Sequence, residues 1–434
     1  MRGLTRNILG TFSTQIPSLI ISIVSGIFLT RLLGPAGKGI YGIFYLNIEI
    51  MVMVFTLGCE MGIIYYGSNK KISMGKLQGI AIIIPSIILP IISIIILSFN
   101  LDFLFPDNYD SLFYKLFLIG VFSLRLINGL FITFLNANKS FRFINRITLI
   151  ISVFNLAAYF FLFYLNSNGI ITVDVRIILG VNLLLLLINT LMWGYSFRKS
   201  IQFQPIFNLS LKQDIYPFFL YIYPVWISMI INFLNYRFDS WFIFEFRGEK
   251  QLGLYLLAVN FAQFILFYSR IIGSVMMPYL SEDNNEQRRK YFTTYSRINF
   301  TSVVLIVIVL AFIGDWLLVT LYGEEFTNSG GPFKVLLVGM VFTAMSQLFS
   351  IMLFSKGKNN IALIANSVGL VATILLDVLL IPKYGIMGAA VATSISYFLL
   401  FIVLLYYLII REKIKFSDLF IIKKTDFKAI FQKD

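Results

Sequence analysis

The sequence contains no histidine and a single cysteine, Cys59, among its 434 residues. These absences exclude a disulfide framework and any metal site built from clustered Cys and His ligands. Without histidine, proton-linked chemistry would have to use carboxylates. Charged residues are scarce as well: they make up 13% of the chain, which is about half of their share in a soluble globular domain.

Long apolar runs take the place of the missing charges. Hydrophobic residues make up 58% of the chain, and runs of about 20 apolar residues recur, the length that crosses a hydrocarbon core of ~30 Å. We therefore predict an all-α integral membrane protein with twelve transmembrane helices. The first run continues to Leu29 with no small-residue cleavage site, so we expect it to be a retained helix and not a signal peptide. The predicted spans are residues 8–31, 40–66, 77–99, 112–137, 146–166, 174–197, 213–236, 251–278, 299–320, 333–355, 361–382 and 385–410.

The basic residues indicate how the spans are oriented. Most of the 35 lysines and arginines fall in the C-terminal tail and in loops on the side of the two termini. By the positive-inside rule, both termini are expected to be cytoplasmic. The net charge of +14 is then a topology signal, and no nucleic-acid partner is expected. The basic tail, residues 411–434, would either lie on the anionic inner leaflet or be solvated.

A short repeat suggests that the chain consists of two similar halves. Gly39-Ile40-Tyr41 follows the break Gly34-Pro35 and returns 214 residues later as Gly253-Leu254-Tyr255. We predict two pseudo-symmetric six-helix lobes, residues 1–200 and 201–410, around a central cavity. Transporters built from such repeats place their substrate site at the interface of the two halves.

Polar residues recur at helical spacing within the apolar runs. Asn232, Asn235 and Asp239 share one face of the seventh span, and Asn260, Gln263 and Arg270 share one face of the eighth. The simplest interpretation is a hydrated space lined by polar side chains; the alternative is polar contacts that hold helices together. The residues that we predict to line the cavity are Ser18, Asn232, Asn235, Asn260 and Gln263.

Ionisable residues in the spans predict binding and coupling sites. An arginine at mid-bilayer costs about 2.5–3.5 kcal/mol on insertion scales, so Arg270 and Arg125 should face a partner or water. The planar guanidinium suits phosphate groups, although internal Arg–Glu pairs that lock the bundle are the alternative. The predicted substrate-binding cations are Arg270, Arg31, Arg237 and Arg125. The candidates for proton or cation coupling are Glu49, Glu60, Asp239 and Asp377. Catalytic residues and metal ligands are not expected.

Three motifs resemble a known family. Arg31-Leu32-Leu33-Gly34-Pro35 with Gly37-Lys38-Gly39-Ile40-Tyr41 resembles the signature between the first two helices of Wzx-type polysaccharide flippases, which belong to the MATE/MOP superfamily. Arg237-Phe238-Asp239 followed by Gly253-Leu254-Tyr255 resembles their second-half signature. The run from Ile381 through Pro382-Lys383-Tyr384-Gly385 to Thr393 resembles their turn between the last two helices. The likeness covers essentially the whole chain.

The resemblance implies a MATE-like fold and a transport function. The expected activity is alternating-access transfer of undecaprenyl-diphosphate-linked glycan repeat units from the inner to the outer leaflet of the bacterial plasma membrane. Such units feed capsule, O-antigen or exopolysaccharide synthesis, and glycan polymerase or assembly machinery is a further candidate partner. No cofactor is expected, and coupling to H⁺ or Na⁺ stays open. The alternatives are a multidrug or cation exporter of the related MATE branch and, from another class, a membrane glycan polymerase.

Overall fold

A computed structural model describes residues 2–68, 72–99, 111–138, 140–280, 285–423 and 426. Within these ranges the chain is helical and contains no β-strand. A π-helical turn at Leu211–Ile215 and a 3₁₀ turn at Glu324–Ser329 precede α7 and α9. The helices are α1 (Arg2–Phe55), α2 (Cys59–Ser68), α3 (Met74–Ser98), α4 (Leu112–Ala137), α5 (Phe141–Ser167), α6 (Val175–Ser200), α7 (Tyr216–Leu280), α8 (Asn285–Tyr322), α9 (Gly330–Ser355), α10 (Asn359–Ile410) and α11 (Phe416–Phe420).

Most of these helices are long and apolar enough to cross a bilayer. Nine membrane-capable helices occur in the described part of the chain, with mean hydropathies from 1.6 to 3.0 in their most apolar windows. The all-α, multi-pass membrane class that the apolar runs predict is therefore confirmed. The number of separate crossings stays a prediction, because α1, α7 and α10 each contain a break.

The three breaks occur at glycines with left-handed backbone angles. Gly34 in α1 has φ 60° and Gly248 in α7 has φ 77°, and they are related by the same 214-residue offset as the Gly-x-Tyr repeat. Gly385 breaks α10 with φ 59°. A side chain with a Cβ rarely adopts this region, so each break depends on glycine.

The first break is shorter than the glycine-rich sequence suggests. Only Gly34 leaves helical geometry, and Pro35 begins the next helical segment, where its missing N–H costs nothing. Gly37 and Gly39 are helical and buried. They therefore belong to the helical segment after the break and not to the turn itself, and the small size of Gly39 allows close packing.

The chain divides into two units, each with its own buried core. Unit 1 comprises residues 1–19, 34–39 and 234–434, and unit 2 comprises residues 20–33 and 40–233. The core of unit 1 includes Met276, Leu348, Phe349 and Leu404. The described residues of unit 2 form three smaller buried clusters, of which one includes Phe44 and Phe122. The sequence-based division after residue 200 stays a prediction.

Part of the basic tail packs against the bundle in unit 1. Ile414 and Leu419 are buried in the core of this unit. The Arg297 guanidinium on α8 donates two hydrogen bonds of 2.6 Å to the Asp426 carboxylate and a third of 2.8 Å to the Asp418 carbonyl. Residues 424–425 and 427–434 lie outside the described part. The described segment of the tail is thus docked on α8 by apolar burial and a buried ion pair.

We expect Arg297→Ala to release this segment. Removing one partner of a buried ion pair costs about 3–5 kcal/mol, so amide hydrogen exchange of residues 414–423 should accelerate by about a hundredfold or more. Lys290→Ala removes an exposed charge from the same helix and should leave exchange unchanged. Equal protection in the two variants would show that apolar burial alone holds the tail.

The ion pair also predicts a pH dependence. Burial by itself raises the pKa of Asp426, but the hydrogen bonds from Arg297 outweigh it and hold that pKa below its usual value. A lowered carboxyl pKa stabilises the fold above the unfolded-state pKa of about 3.9, and this contribution disappears as the pH falls through the lower, folded value. Protection of the tail should therefore be constant near neutral pH and decrease only in strong acid.

Candidate functional site

Two helical turns interlock in unit 1, and they are the two copies of the sequence repeat. A Cβ placed on Gly39 would lie 1.8 Å from the Glu249 carbonyl oxygen, and one on Gly253 would lie 1.8 Å from the Pro35 carbonyl oxygen. The two contacts are equivalent, because Glu249 and Gly253 follow Pro35 and Gly39 by the same offset. One glycine in each segment allows this backbone contact, as small residues do at close helix crossings in membranes.

The segment of α7 that precedes its break places a carboxylate in a buried polar cluster. Asp239, with 3% exposure, accepts hydrogen bonds from the hydroxyls of Tyr255, Thr393 and Ser240. The Thr393 and Ser240 bonds are each 3.1 Å long. Both oxygens of Asp239 therefore accept hydrogen bonds from neutral donors.

Asp377 is a second buried carboxylate, and it has no such partners. It lies on α10 with no exposed surface, and neither of its oxygens has a hydrogen-bond partner among the described residues. It is close enough to Asp239 for the two carboxyl groups to interact electrostatically. An unpartnered buried carboxylate next to a second one is costly unless a cation or a proton compensates it.

One helical turn earlier, an amide and a hydroxyl continue the cluster. Thr373 donates to the Asn235 side-chain oxygen over 3.1 Å, and Gly369 allows the approach, since a Cβ there would lie 2.9 Å from the Asn235 nitrogen. Asn235 is one turn before Asp239, and Thr373 is one turn before Asp377. The predicted cavity residue Asn235 is thus buried within unit 1, at 2% exposure.

This cluster offers oxygen ligands to a small cation. It contains two carboxylates with the hydroxyls of Thr373 and Thr393 and the amide oxygen of Asn235, which are ligands for hard ions. No group of three or more His, Cys, Asp and Glu residues suited to a metal ion occurs in the described ranges. A proton or a monovalent cation therefore fits the available charge better than a divalent ion.

Arg270 lies on a different, accessible face of α7. Its side chain is exposed, and Asn260 and Gln263 on the same helical face are half-buried. Arg270 forms no ion pair with the other described residues, and Tyr236 is near enough to interact with its charge. Its charge is therefore available to a ligand.

The remaining predicted residues of unit 1 are dispersed along its helices. Arg237 is half-buried and interacts electrostatically with Asp239 and Lys38. Ser18 is half-buried with an interaction of its own. Among the predicted residues of this unit, the structure thus brings Asn235, Asp239 and Asp377 together.

Five predicted residues belong to unit 2, and one of them, Asn232, is exposed. The Arg125 guanidinium lies 5.4 Å from the centre of the Tyr45 ring in a cation–π contact, and Tyr45 also interacts with Glu49. Glu60 packs against Gly129, where a Cβ would lie 2.4 Å from its carboxylate oxygen. Arg31 is exposed and has an interaction of its own. These positions form no single cluster comparable to the one around Asp239.

The sequence-based interpretation did not identify Tyr255, Thr393 and Thr373 as site residues. All three hydroxyls bind members of the acidic cluster. Tyr255 and Thr393 lie within the two motifs that resemble the second-half signature and the last turn. Their place in these motifs was the available signal, whereas Thr373 is an ordinary threonine in an apolar run.

Comparison with known proteins identifies sequence relatives. Residues 4–284 match the family described as "Polysaccharide biosynthesis protein". The chain is 24% identical over 197 residues to the "Probable low-salt glycan biosynthesis flippase Agl15" of Haloferax volcanii, which covers 43% of this chain and 42% of the relative. The chain spans about half or less of the length of its curated relatives: the match covers 52% of the first relative and 42% of the second.

Solved structures share the fold over nearly the whole chain. "Lipid II flippase MurJ, inward closed conformation" aligns with a TM-score of 0.72 at 16% identity and covers 96% of this chain and 90% of that chain. An inward-facing multidrug resistance MATE family transporter of the MOP superfamily aligns with a TM-score of 0.70 at 14% identity and covers 91% of this chain and 94% of that chain. The predicted MATE-like architecture is thereby confirmed.

Proposed function

The chain belongs to the polysaccharide biosynthesis protein family, and we propose on this basis that it is a lipid-linked oligosaccharide flippase. The proposed substrate is an undecaprenyl-diphosphate-linked glycan repeat unit, moved from the inner to the outer leaflet of a bacterial plasma membrane. The flippase named among the sequence relatives and the lipid II flippase with the same fold support this proposal. The proposed role is transport, without covalent catalysis.

The observation that carries the proposal is the exposed Arg270 on a membrane-length helix. A mid-membrane arginine is costly unless water or an anion meets its charge, and no acidic side chain among the described residues pairs with it. The guanidinium can bind two oxygens of a diphosphate at once. We propose that it captures the headgroup, with Asn260 and Gln263 on the same face available to the sugars. Rocking of the two lobes then exposes the headgroup to the other side.

Coupling to an ion gradient is proposed at the Asp239–Asp377 cluster. A cation that neutralises Asp377 would draw the first half of α7 and the first half of α10 together through Asp239, Asn235 and Thr373. Release of the cation leaves two carboxylates in repulsion, which favours separation of the two helices. This linkage would let a proton or Na⁺ bias the conformational equilibrium.

We expect Asp377→Asn to remove the cation dependence of thermal stability. In the wild type, a cation bound to the folded state at a hundred times its Kd stabilises by about 2.7 kcal/mol, so Tm should rise when Na⁺ replaces choline, or when the pH falls if the ligand is a proton. Asp377→Asn should have a higher Tm in cation-poor buffer, because a neutral amide relieves the repulsion. Asp315→Asn, an exposed carboxylate paired with Lys334, should keep the wild-type response. An unchanged response in Asp377→Asn would contradict the site.

Complementation of a flippase-null bacterial strain tests the proposed function in cells. The wild-type gene should restore surface glycan when the strain makes a compatible lipid-linked repeat unit, and an empty vector should not. Restoration by an unrelated drug exporter expressed at the same level would show that the assay is not specific. Failure to complement in strains that offer different repeat units would contradict the proposal.

A multidrug or cation exporter is the second candidate, and the MATE fold favours it. Such an exporter would use the buried acids for coupling and would extrude amphiphilic cations. Arg270 disfavours cationic cargo, because no acidic side chain in the described part of the chain offsets its charge. Cells that express the protein should therefore show no increase in resistance to cationic dyes; a reproducible increase that depends on Asp377 would support the exporter instead.

A further inference from the structure

We propose that unit 1 carries a separate binding pocket for an acidic saccharide. The pocket lies beside the helix breaks at Gly248 and Gly385 and has a volume of about 820 Å³. Phe246, Arg247 and Gln251 line one side, and residues 383–387 and 327–328 line the rest. It is distinct from the Asp239 cluster and from the face that carries Arg270.

The pocket is cationic, and hydrogen bonds hold one of its positive side chains in place. Arg247 donates from its Nη2 to the Pro382 carbonyl over 2.5 Å and from its Nε to the Ile381 carbonyl over 3.3 Å. These carbonyls belong to the last turn before the break in α10, where a cation is favourable. Lys383 adds a second, exposed positive charge, and no acidic side chain is among the described residues that line the pocket. A carboxylate or phosphate ligand would supply the missing negative charge.

The rest of the lining fits a sugar better than a bare anion. Tyr384 and Phe246 leave 65% and 53% of their surfaces exposed, so flat aromatic faces are available to the apolar faces of sugar rings. The amides of Gln251 and Asn328 can bind hydroxyl groups. The volume lies in the range of small-molecule sites, about 300–1,000 Å³, and is much larger than one phosphate ion requires.

The position of the pocket connects it with transport. It lies at helix ends that the predicted topology places on the outer side of the membrane, where a flipped glycan would arrive. We therefore infer that it receives the acidic sugar of the exported unit, an inference that rests on the proposed function. Because the pocket lies at two glycine breaks, a bound ligand would change the angle between the helical segments that each break joins.

Calorimetric titration of the full chain in phosphatidylcholine nanodiscs tests the pocket. The probe is tri-galacturonate, with maltotriose as the neutral saccharide and inorganic phosphate as the free anion. Tri-galacturonate should bind at least about tenfold more tightly than maltotriose, because its carboxylates can accept charge-assisted hydrogen bonds that the neutral sugar cannot. Lys383→Gln should weaken its binding about tenfold, and Tyr384→Ala should weaken both sugars. Lys334→Gln, an exposed cation paired with Asp315, is the matched control and should bind as the wild type does.

The outcomes separate the possible occupants. Equal binding by the wild type and Lys383→Gln, or no preference for the acidic sugar, would overturn the proposal. Phosphate that competes as well as tri-galacturonate would indicate a simple anion site, and phosphatidylglycerol that displaces the sugar would indicate a lipid-headgroup site; either result overturns it. A protein that flips lipid-linked glycan but binds no trisaccharide would refute the pocket alone. One that binds the trisaccharide but flips nothing would refute the proposed function alone.

Discussion

Arg270→Ala is expected to abolish glycan export while leaving the protein in the membrane. The side chain is exposed and without an ion pair among the described residues, so its removal opens no buried cavity and leaves no acid unpaired. Each lost charge-assisted hydrogen bond to a diphosphate costs about 1.5–3 kcal/mol, which is tenfold or more in affinity. Surface glycan in the complemented strain measures the effect, and an immunoblot of the membrane fraction measures protein level.

Two further variants make this result interpretable. Arg270→Lys keeps the charge but loses the planar fork, so export should be intermediate. Arg198→Ala removes an exposed arginine from the last turn of α6 and should export normally. Wild-type surface glycan from Arg270→Ala at equal protein level would contradict the proposed role of this residue.

Gly253→Ala is expected to disrupt the interlocked turns of unit 1. The added methyl group would lie 1.8 Å from the Pro35 carbonyl oxygen and 2.9 Å from the Gly39 nitrogen, so the two backbones must separate. Overpacking in a tight core costs about 1–3 kcal/mol, and here the obstacle is rigid backbone on both sides. Purified Gly253→Ala should therefore melt at a clearly lower temperature and export poorly, and Gly39→Ala should behave alike, because its contact is equivalent.

Gly180→Ala on α6 is the control for this pair. No atom lies within 4 Å of the position that its Cβ would occupy, and alanine is favoured over glycine in a helix by about 1 kcal/mol. Its melting temperature should equal or exceed that of the wild type. If Gly253→Ala matched Gly180→Ala in stability and export, the close contact between the turns would be of no consequence.

The sequence predicted the features that follow from local chemistry. Apolar runs of bilayer length fix the all-α membrane class, and glycine next to proline marks the break in α1 at Gly34. The Gly-x-Tyr repeat anticipated two related turns. The repeat could not predict that the two turns touch each other, because the contact between Gly39 and Glu249 depends on how segments far apart in the sequence pack together.

The polar stripe on the seventh span shows the limit of helical spacing. Periodicity places Asn232, Asn235 and Asp239 on one face, but it does not say what that face meets. Asn235 and Asp239, which belong to unit 1, are buried against α10, whereas Asn232, which belongs to unit 2, is exposed. Asp377 was recognisable as a candidate, because an acidic residue within an apolar membrane span is costly. The hydroxyl partners of Asp239 and Asn235 could not be predicted, because they depend on tertiary packing alone.

Transfer of a lipid-linked glycan between leaflets by the purified protein tests the central claim most directly. Proteoliposomes would carry a fluorescent polyprenyl-diphosphate disaccharide in both leaflets, and a membrane-impermeant glycosidase would attack only the outer pool. With the wild type, cleavage should proceed beyond the outer pool to near completion, whereas Arg270→Ala vesicles should stop at the level of protein-free vesicles. Wild-type vesicles that also stop at this level, under every ion gradient applied, would contradict the proposal that this protein flips lipid-linked glycans.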